Sequence, residues 1–146
     1  MDISLDHKWL PVEGEPGVPY LFPEPLPKRF RAKYGMPAIY RWVVYHESPG
    51  DLRRLYIGET EKLGRRIYGY LNPGPSQFTN IRIKGRFENE INSGHKVALE
   101  ALRFEPFAFQ GIDISEPDLA DKAVRRMLES LFVVYFTRAG YAVLNA

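Results

Sequence analysis

A chain of 146 residues, 45% apolar with nine Tyr and nine Phe, suits one domain with a sizeable core, and its longest apolar run of six residues excludes a membrane span. The absence of cysteine excludes disulfides and thiolate metal sites; with no basic-then-apolar N-terminus, the expectation is a cytoplasmic protein. Net charge is only +2, yet residues 28–86 hold 13 Lys/Arg against 4 Asp/Glu, a positive block of the kind that meets a polyanion.

Residues 1–37 hold seven of the twelve prolines, which forbids a long helix or a central strand. Trp9, Leu10, Tyr20, Leu21, Phe22 and Phe30 are too many apolar groups for a disordered tail. The segment reads as an extended arm that wraps the domain. Lys28, Arg29, Arg31 and Lys33 end it, within reach of a phosphate backbone.

Ala38 to His46 alternates Ile39, Val43 and Tyr45 against Tyr40, Trp42 and Val44, which predicts a strand. Ser48-Pro49-Gly50-Asp51 reads as a turn, and Leu52 to Gly58 as the second strand of an antiparallel hairpin. That pairing brings Tyr40 and Tyr56 to one end, although only the register decides whether they share a face. Thr60 suits an N-cap and Glu61 a first helical turn. Leu63, Ile67 and Leu71 then repeat every four residues until Asn72-Pro73-Gly74 stops the helix. Arg66 and Tyr70 are also four apart, so they share another face of it, with Arg65 adjacent. A strand phenol, this guanidinium and this second phenol together would frame an anion site with a proton acceptor beside it.

Asn72 to Ser76 reads as a loop. Ile83, Phe87 and Ile91 predict a helix over Thr79 to Ser93, carrying Arg82, Lys84 and Arg86; Gly85 inside it costs ~1 kcal/mol against Ala. Val97 to Phe104 fits a strand by alternation and a helix by its Ala-Leu-Glu-Ala-Leu content; its length, Gly94 and Pro106 favour a third strand. Pro106 to Ile114 reads as a loop. Ser115-x-x-Asp118 with Pro117 resembles a capping box and predicts one helix to about Ala139, ended by Gly140. Leu131 to Phe136 is apolar all round, so that half of the helix is expected to be buried, with Glu129 at its border. Tyr141 to Asn145 is a short extended tail. His46 and His95 lack ligand spacing and read as surface residues. Gly58-x5-Gly64-Arg65 has one residue too many for a nucleotide-cradling loop and lacks its Lys-Ser/Thr. The expected fold is α/β (α+β): a small three-stranded, mainly antiparallel sheet flanked by helices over 38–146, with an insertion at 72–96 and a Pro-rich arm at 1–37.

Each candidate residue also has an ordinary reading. Strand tyrosines usually pack across strands. Glu129, four residues after Arg125, would form a surface ion pair. A residue as near the end as Asn145 would fray.

The ordered set Ala38-Ile39-Tyr40, Tyr56-Ile57-Gly58, Arg66, Tyr70, Glu129 and Asn145 resembles the GIY-YIG nuclease family over roughly residues 38–145. Ala38 stands where the family's first motif usually has Gly, and the long segment 72–96 looks like its restriction-enzyme branch. The resemblance implies a divalent-metal-dependent endonuclease that hydrolyses phosphodiester bonds in DNA, most simply duplex DNA, with no membrane partner, acting as monomer or homodimer. It implies Tyr40 and Tyr56 as base or water-positioning phenols, Arg66 on the scissile phosphate and Tyr70 beside it. It implies Glu129 as the only direct protein ligand of Mg²⁺, for which Mn²⁺ substitutes, and Asn145 as a brace. The nucleic-acid contacts then fall to Lys28, Arg29, Arg31, Lys33, Arg65, Arg82, Lys84 and Arg86. A lone Glu suits Mg²⁺, which keeps most of its shell for water and substrate oxygens, and an Arg fork matches phosphate oxygens. Other readings of the same residues are a catalytically inactive nucleic-acid-binding module on this scaffold, a DNA repair or recombination nuclease, or a structural interaction domain.

Overall fold

In the computed structural model, which describes residues 4–48 and 50–145, the chain is mixed α and β. In order it forms β1 (His7–Pro11), α1 (Phe30–Lys33), β2 (Ala38–Tyr45), β3 (Leu52–Thr60), α2 (Leu63–Leu71), α3 (Phe78–Asn92), β4 (Lys96–Phe104), β5 (Phe107–Phe109), β6 (Ile112–Ile114), a 3₁₀ helix (Glu116–Ala120), α4 (Lys122–Arg138) and β7 (Ala142–Val143). The main sheet has the order β1-β4-β2-β3-β7; every pairing is antiparallel except β3 with β7.

The alternation in β2, β3 and β4 sorts their side chains into two cores, one on each face of the sheet. Tyr40, Trp42, Val44, Val97 and Leu99 pack under Leu63, Ile67 and Tyr70 of α2, Ile83 and Phe87 of α3, and Tyr20, Phe22 and Phe30 of the N-terminal segment. On the other face, Ile39, Leu55, Ile57, Leu102 and Phe104 pack under Leu128, Phe132 and Phe136 of α4. The layers are therefore helices, sheet, helix. No helix among the described residues is long and apolar enough to cross a membrane.

Several expectations require correction. The sheet has five strands rather than three. One extra strand comes from the N-terminal segment, where His7-Lys8-Trp9-Leu10 is free of proline and pairs with β4 at the sheet edge, the place a Pro-flanked strand tolerates. The other is the two-residue β7. The end of the Pro-rich segment is the short helix α1 rather than extended chain. The hairpin turn closes with Asp51 N–H donating to the Ser48 carbonyl at 2.8 Å; Pro49 lies outside the described residues. β3 continues through Gly58 to Thr60, and the helix starts at Leu63. Thr60 Oγ1 accepts from Lys62 N–H at 3.1 Å, so it bridges strand and helix rather than capping the latter.

Residues 106–114 form a small hairpin, β5 with β6, rather than a loop, turning through Gln110 and Gly111, both at positive φ. The single helix after Ser115 is two elements. Asp118 does accept from Ser115 N–H at 2.8 Å, but Asp121 accepts from Ala123 N–H at 2.8 Å and starts α4 afresh. The apolar half of α4 is not buried throughout: Leu131, Val134 and Tyr135 are 55%, 47% and 57% exposed. A helix packed on one layer buries one stripe, whatever its other faces contain. His95 is not a free surface residue either; its Nδ1 lies 2.8 Å from Glu90, which also pairs with Arg54.

Two glycines hold the helical layer close to the sheet. A side chain at Gly64 would run into the Arg31 backbone, so α1 rests directly on α2. A side chain at Gly58 would overlap the outer end of the Tyr40 ring, which crosses its paired residue. Tyr40 is wholly buried and cannot swing aside. Gly58→Ala is expected to destabilise the fold by about 1–3 kcal/mol, read as a lower urea midpoint at unchanged m-value. The cost should shrink in a Tyr40→Ala background; an equal cost there would show that the Tyr40 ring is not the obstacle.

Candidate active site

The register answers the question that strand order left open. Tyr40 pairs with Gly58 and Trp42 with Tyr56, so Tyr40 and Tyr56 occupy the same face, two positions apart across the hairpin. Helix α2 lies over that face. Tyr70 points down from it, and its phenol oxygen is 2.7 Å from that of Tyr40, one hydroxyl donating to the other. The Tyr56 ring meets the Tyr70 ring edge-on at 6.4 Å between centroids. Arg66, one turn before Tyr70, sets its positive charge against all three phenols, Tyr40 foremost, and they hold the guanidinium firmly protonated.

Burial decides what each phenol can do. It pushes Tyr40 up to about 12, against the pull of Arg66 and of the hydrogen bond to Tyr70. It drives Tyr70 well above the ordinary phenol value, reinforced by Tyr40 and Tyr56. Both are closed, neutral hydrogen-bonding groups at neutral pH. Tyr56 is only half-buried, so it is the phenol that faces solvent.

The carboxylate arrives from the opposite layer. β7 ends at Val143, so among the described residues no strand pairs with this edge of β3 beyond Leu55. Asn145 takes the place of the missing strand. Its amide accepts from Ile57 N–H at 2.9 Å and donates to the Ile57 carbonyl at 2.6 Å, which pins the tail to β3. Fraying, the ordinary expectation for this position, is therefore overturned. Glu129 of α4 is half-buried at the same edge. Burial raises its pKa first and the nearby Glu59 second; the Glu59 backbone N–H, Arg66 and Arg126 pull it down without offsetting the rise.

The expected ion pair of Glu129 with Arg125 is absent. Arg125 is buried and donates instead to Glu59 at 2.7 Å and to the carbonyls of Leu119 and Ala120. Glu129 thus has no salt-bridge partner among the described residues and meets only the Glu59 backbone N–H. No group of three or more His, Asp or Glu among them could cage a metal. A cation held by one carboxylate and substrate oxygens fits Glu129, because it would relieve the repulsion from Glu59.

Sequence reasoning passed over three members of this region. Glu59, next to the Tyr-Ile-Gly tripeptide, faces α4 because successive strand residues alternate sides. Arg125 orients Glu59, and its pairing across 66 positions left no local signal. Phe78 opens α3 and is 75% exposed. It shares a concavity of about 290 Å³ with Arg66, Ser76, Gln77, Thr79 and Asn80.

The basic residues do not form one surface. Lys28, Arg31 and Lys84 line a groove of about 640 Å³ between the proline segment, α2 and α3, with Arg31 stacked 3.9 Å over Tyr68. Tyr68 is two residues from Arg66, some 200° around the helix, so the groove and the tyrosine cluster lie on different sides of α2. Arg29, Arg65, Arg82 and Arg86 are exposed. Lys33 lies 3.8 Å from Glu13.

Comparison with family models, characterised proteins and solved structures finds no match to this chain.

Proposed function

We propose that the chain is a divalent-metal-dependent endonuclease of the GIY-YIG type, acting on duplex DNA in a restriction-type role. One observation carries the reading. Three phenols cluster with Arg66 on one face of the sheet, and the Glu129 carboxylate of the opposite helix lies near enough to feel the charge of Arg66, although these residues span positions 40–129.

The chemistry required is attack of water on phosphorus, stabilisation of charge on the phosphoryl oxygens and departure of the ester oxygen. Arg66 binds the phosphate through its planar fork, with the start of α3 beside it offering unpaired backbone N–H groups. Tyr56, the phenol open to solvent, orients the attacking water. Tyr40 and Tyr70 hold each other and set the position of Arg66; their raised pKa values suit positioning rather than proton abstraction. Glu129 would hold Mg²⁺ or Mn²⁺, which supplies a Lewis acid and a more acidic bound water. The water oxygen bonds to phosphorus, the bond to the leaving oxygen breaks, and a proton passes through solvent to that oxygen. Burial first, and the charge of Glu59, held by Arg125, second, keep the pKa of Glu129 raised.

The decisive experiment is incubation of plasmids of varied sequence with the protein and Mg²⁺ or Mn²⁺, followed by sequencing of the ends. Cleavage that EDTA stops, with ends sharing a sequence, is the expected result. Intact plasmid under every metal and sequence, together with salt-dependent DNA binding, would point to a binding module instead.

A further inference from the structure

We infer that His46 and His95 form a two-imidazole chelate for a borderline transition-metal ion, Zn²⁺, Ni²⁺ or Cu²⁺, at the end of the sheet away from the tyrosine cluster. The two residues are 49 positions apart in the chain, so no local spacing links them. The sheet does. β2 and β4 pair antiparallel with Tyr45 opposite Lys96, and one step beyond that pair the same register sets His46 opposite His95. Residues directly opposite on neighbouring strands hold their side chains close enough to touch. The two rings lie 6.0 Å apart between centroids at 78° to each other. Metal–nitrogen bonds of about 2.0–2.1 Å put an ion about 3 Å from each ring centre, so two imidazoles sharing a tetrahedral ion have centres about 5 Å apart; the edge-on pair, at 6.0 Å, reaches that by rotation of the exposed His46 side chain.

The surroundings of His95 support a ligand role. Its Nδ1 is 2.8 Å from a carboxylate oxygen of Glu90. A carboxylate can only accept, so this nitrogen carries the proton, and in the neutral ring the lone pair is left on Nε2. That is the arrangement in which a carboxylate fixes the tautomer of a metal-ligating histidine and strengthens it as a donor. Glu90 is itself buried and held by Arg54 at 3.0 Å, and the His95 backbone N–H donates to the Glu90 carbonyl at 3.0 Å. One ring is thus set in place before any ion arrives. His46 is exposed and makes no hydrogen bond among the described residues, so nothing competes for its nitrogens.

Two nitrogens leave the remaining positions to water. Imidazole donors favour Zn²⁺, Ni²⁺ and Cu²⁺ over Mg²⁺, which takes oxygen. The site therefore differs in chemistry from the lone carboxylate at Glu129, and the inference does not depend on the nuclease reading.

Calorimetric titration of the untagged full chain with Zn²⁺, repeated with Ni²⁺, tests it. Wild type is expected to bind about one ion per chain here, and the Tm should rise with the ion because only the folded sheet brings the rings together. His46→Ala and His95→Ala should each weaken binding by more than tenfold and abolish the rise in Tm. Glu90→Gln, with an unchanged circular dichroism spectrum, should weaken it about 10–100-fold, the usual effect of removing the group that orients a ligand. Glu129→Gln should bind as wild type does, and excess Mg²⁺ should not compete. His46 is exposed, so its replacement leaves the fold intact and the result readable. A wild type that binds no tighter than His46→Ala overturns the inference. So does Zn²⁺ binding that disappears in Glu129→Gln, which would place the ion at the other site.

Discussion

Glu129→Gln is expected to abolish metal-dependent cleavage and, at neutral pH, to stabilise the fold. The first half follows from the proposed role of Glu129, whose carboxylate feels the charge of Arg66: loss of the anionic oxygen would remove the only protein ligand proposed for the metal. A fall of about 10³-fold or more in kcat/KM is expected, with DNA affinity in the absence of metal retained. The second half follows from the raised pKa of Glu129, caused first by burial and then by Glu59. A carboxyl group whose pKa is raised on folding binds its proton more tightly in the folded state than in the unfolded one. Wild-type stability therefore falls as pH rises from the ordinary carboxylate range through the raised value of Glu129. That loss should be missing in Glu129→Gln, leaving it the higher Tm at pH 7. Activity lost together with stability would instead mark Glu129 as structural, and activity kept would remove it from the site.

Arg66→Lys is expected to be almost as inactive as Arg66→Ala. A lysine keeps the charge but loses the planar fork that grips two phosphoryl oxygens at once. The expected loss is about 10²–10³-fold in kcat, with KM much less affected, because Arg66 is one cation in a domain rich in them. The substitution to Ala carries a second signature. Arg66 pulls down the pKa of both Tyr40 and Glu129. Removing it should move the pH window in which Glu129 weakens the fold to higher pH, visible in urea midpoints measured across pH. A Lys variant with wild-type kcat would show that charge alone suffices, and an unmoved window would separate Arg66 from Glu129.

The central hairpin and the helix over it were legible because their signals are local. Period-two alternation from Ala38 and the four-residue repeat of Leu63, Ile67 and Leu71 depend on nothing distant. The third central strand was legible for the same reason, once Gly94 and Pro106 bounded it. The outer strands were not. β1 hides inside a proline-rich segment and is ordered only by pairing with β4, some 90 positions away. β7 is too short to carry any period.

The exposed half of α4 shows the converse failure. A run apolar on every side signals burial only when something covers every side, and here a single sheet covers one. The basic block likewise read as one surface along the chain, yet Lys28, Arg31 and Lys84 turn away from the side of α2 that bears Arg66. His46 and His95 read as two isolated surface groups, because only the pairing of β2 with β4 sets them side by side.

What the amino-acid order determined by itself is the set of candidate groups and the elements that carry them: Tyr40 and Tyr56 on paired strands, Arg66 and Tyr70 one turn apart, Glu129 on a late helix. The tertiary structure alone decided that the hairpin register puts both strand phenols on one face, that Arg125 turns to Glu59 and leaves Glu129 unpaired, and that Asn145 stands in for a strand at Ile57. The physical reason is range. Backbone periodicity is set by neighbours a few residues apart, whereas register, burial and charge pairing are settled between groups that meet only after the chain has closed on itself.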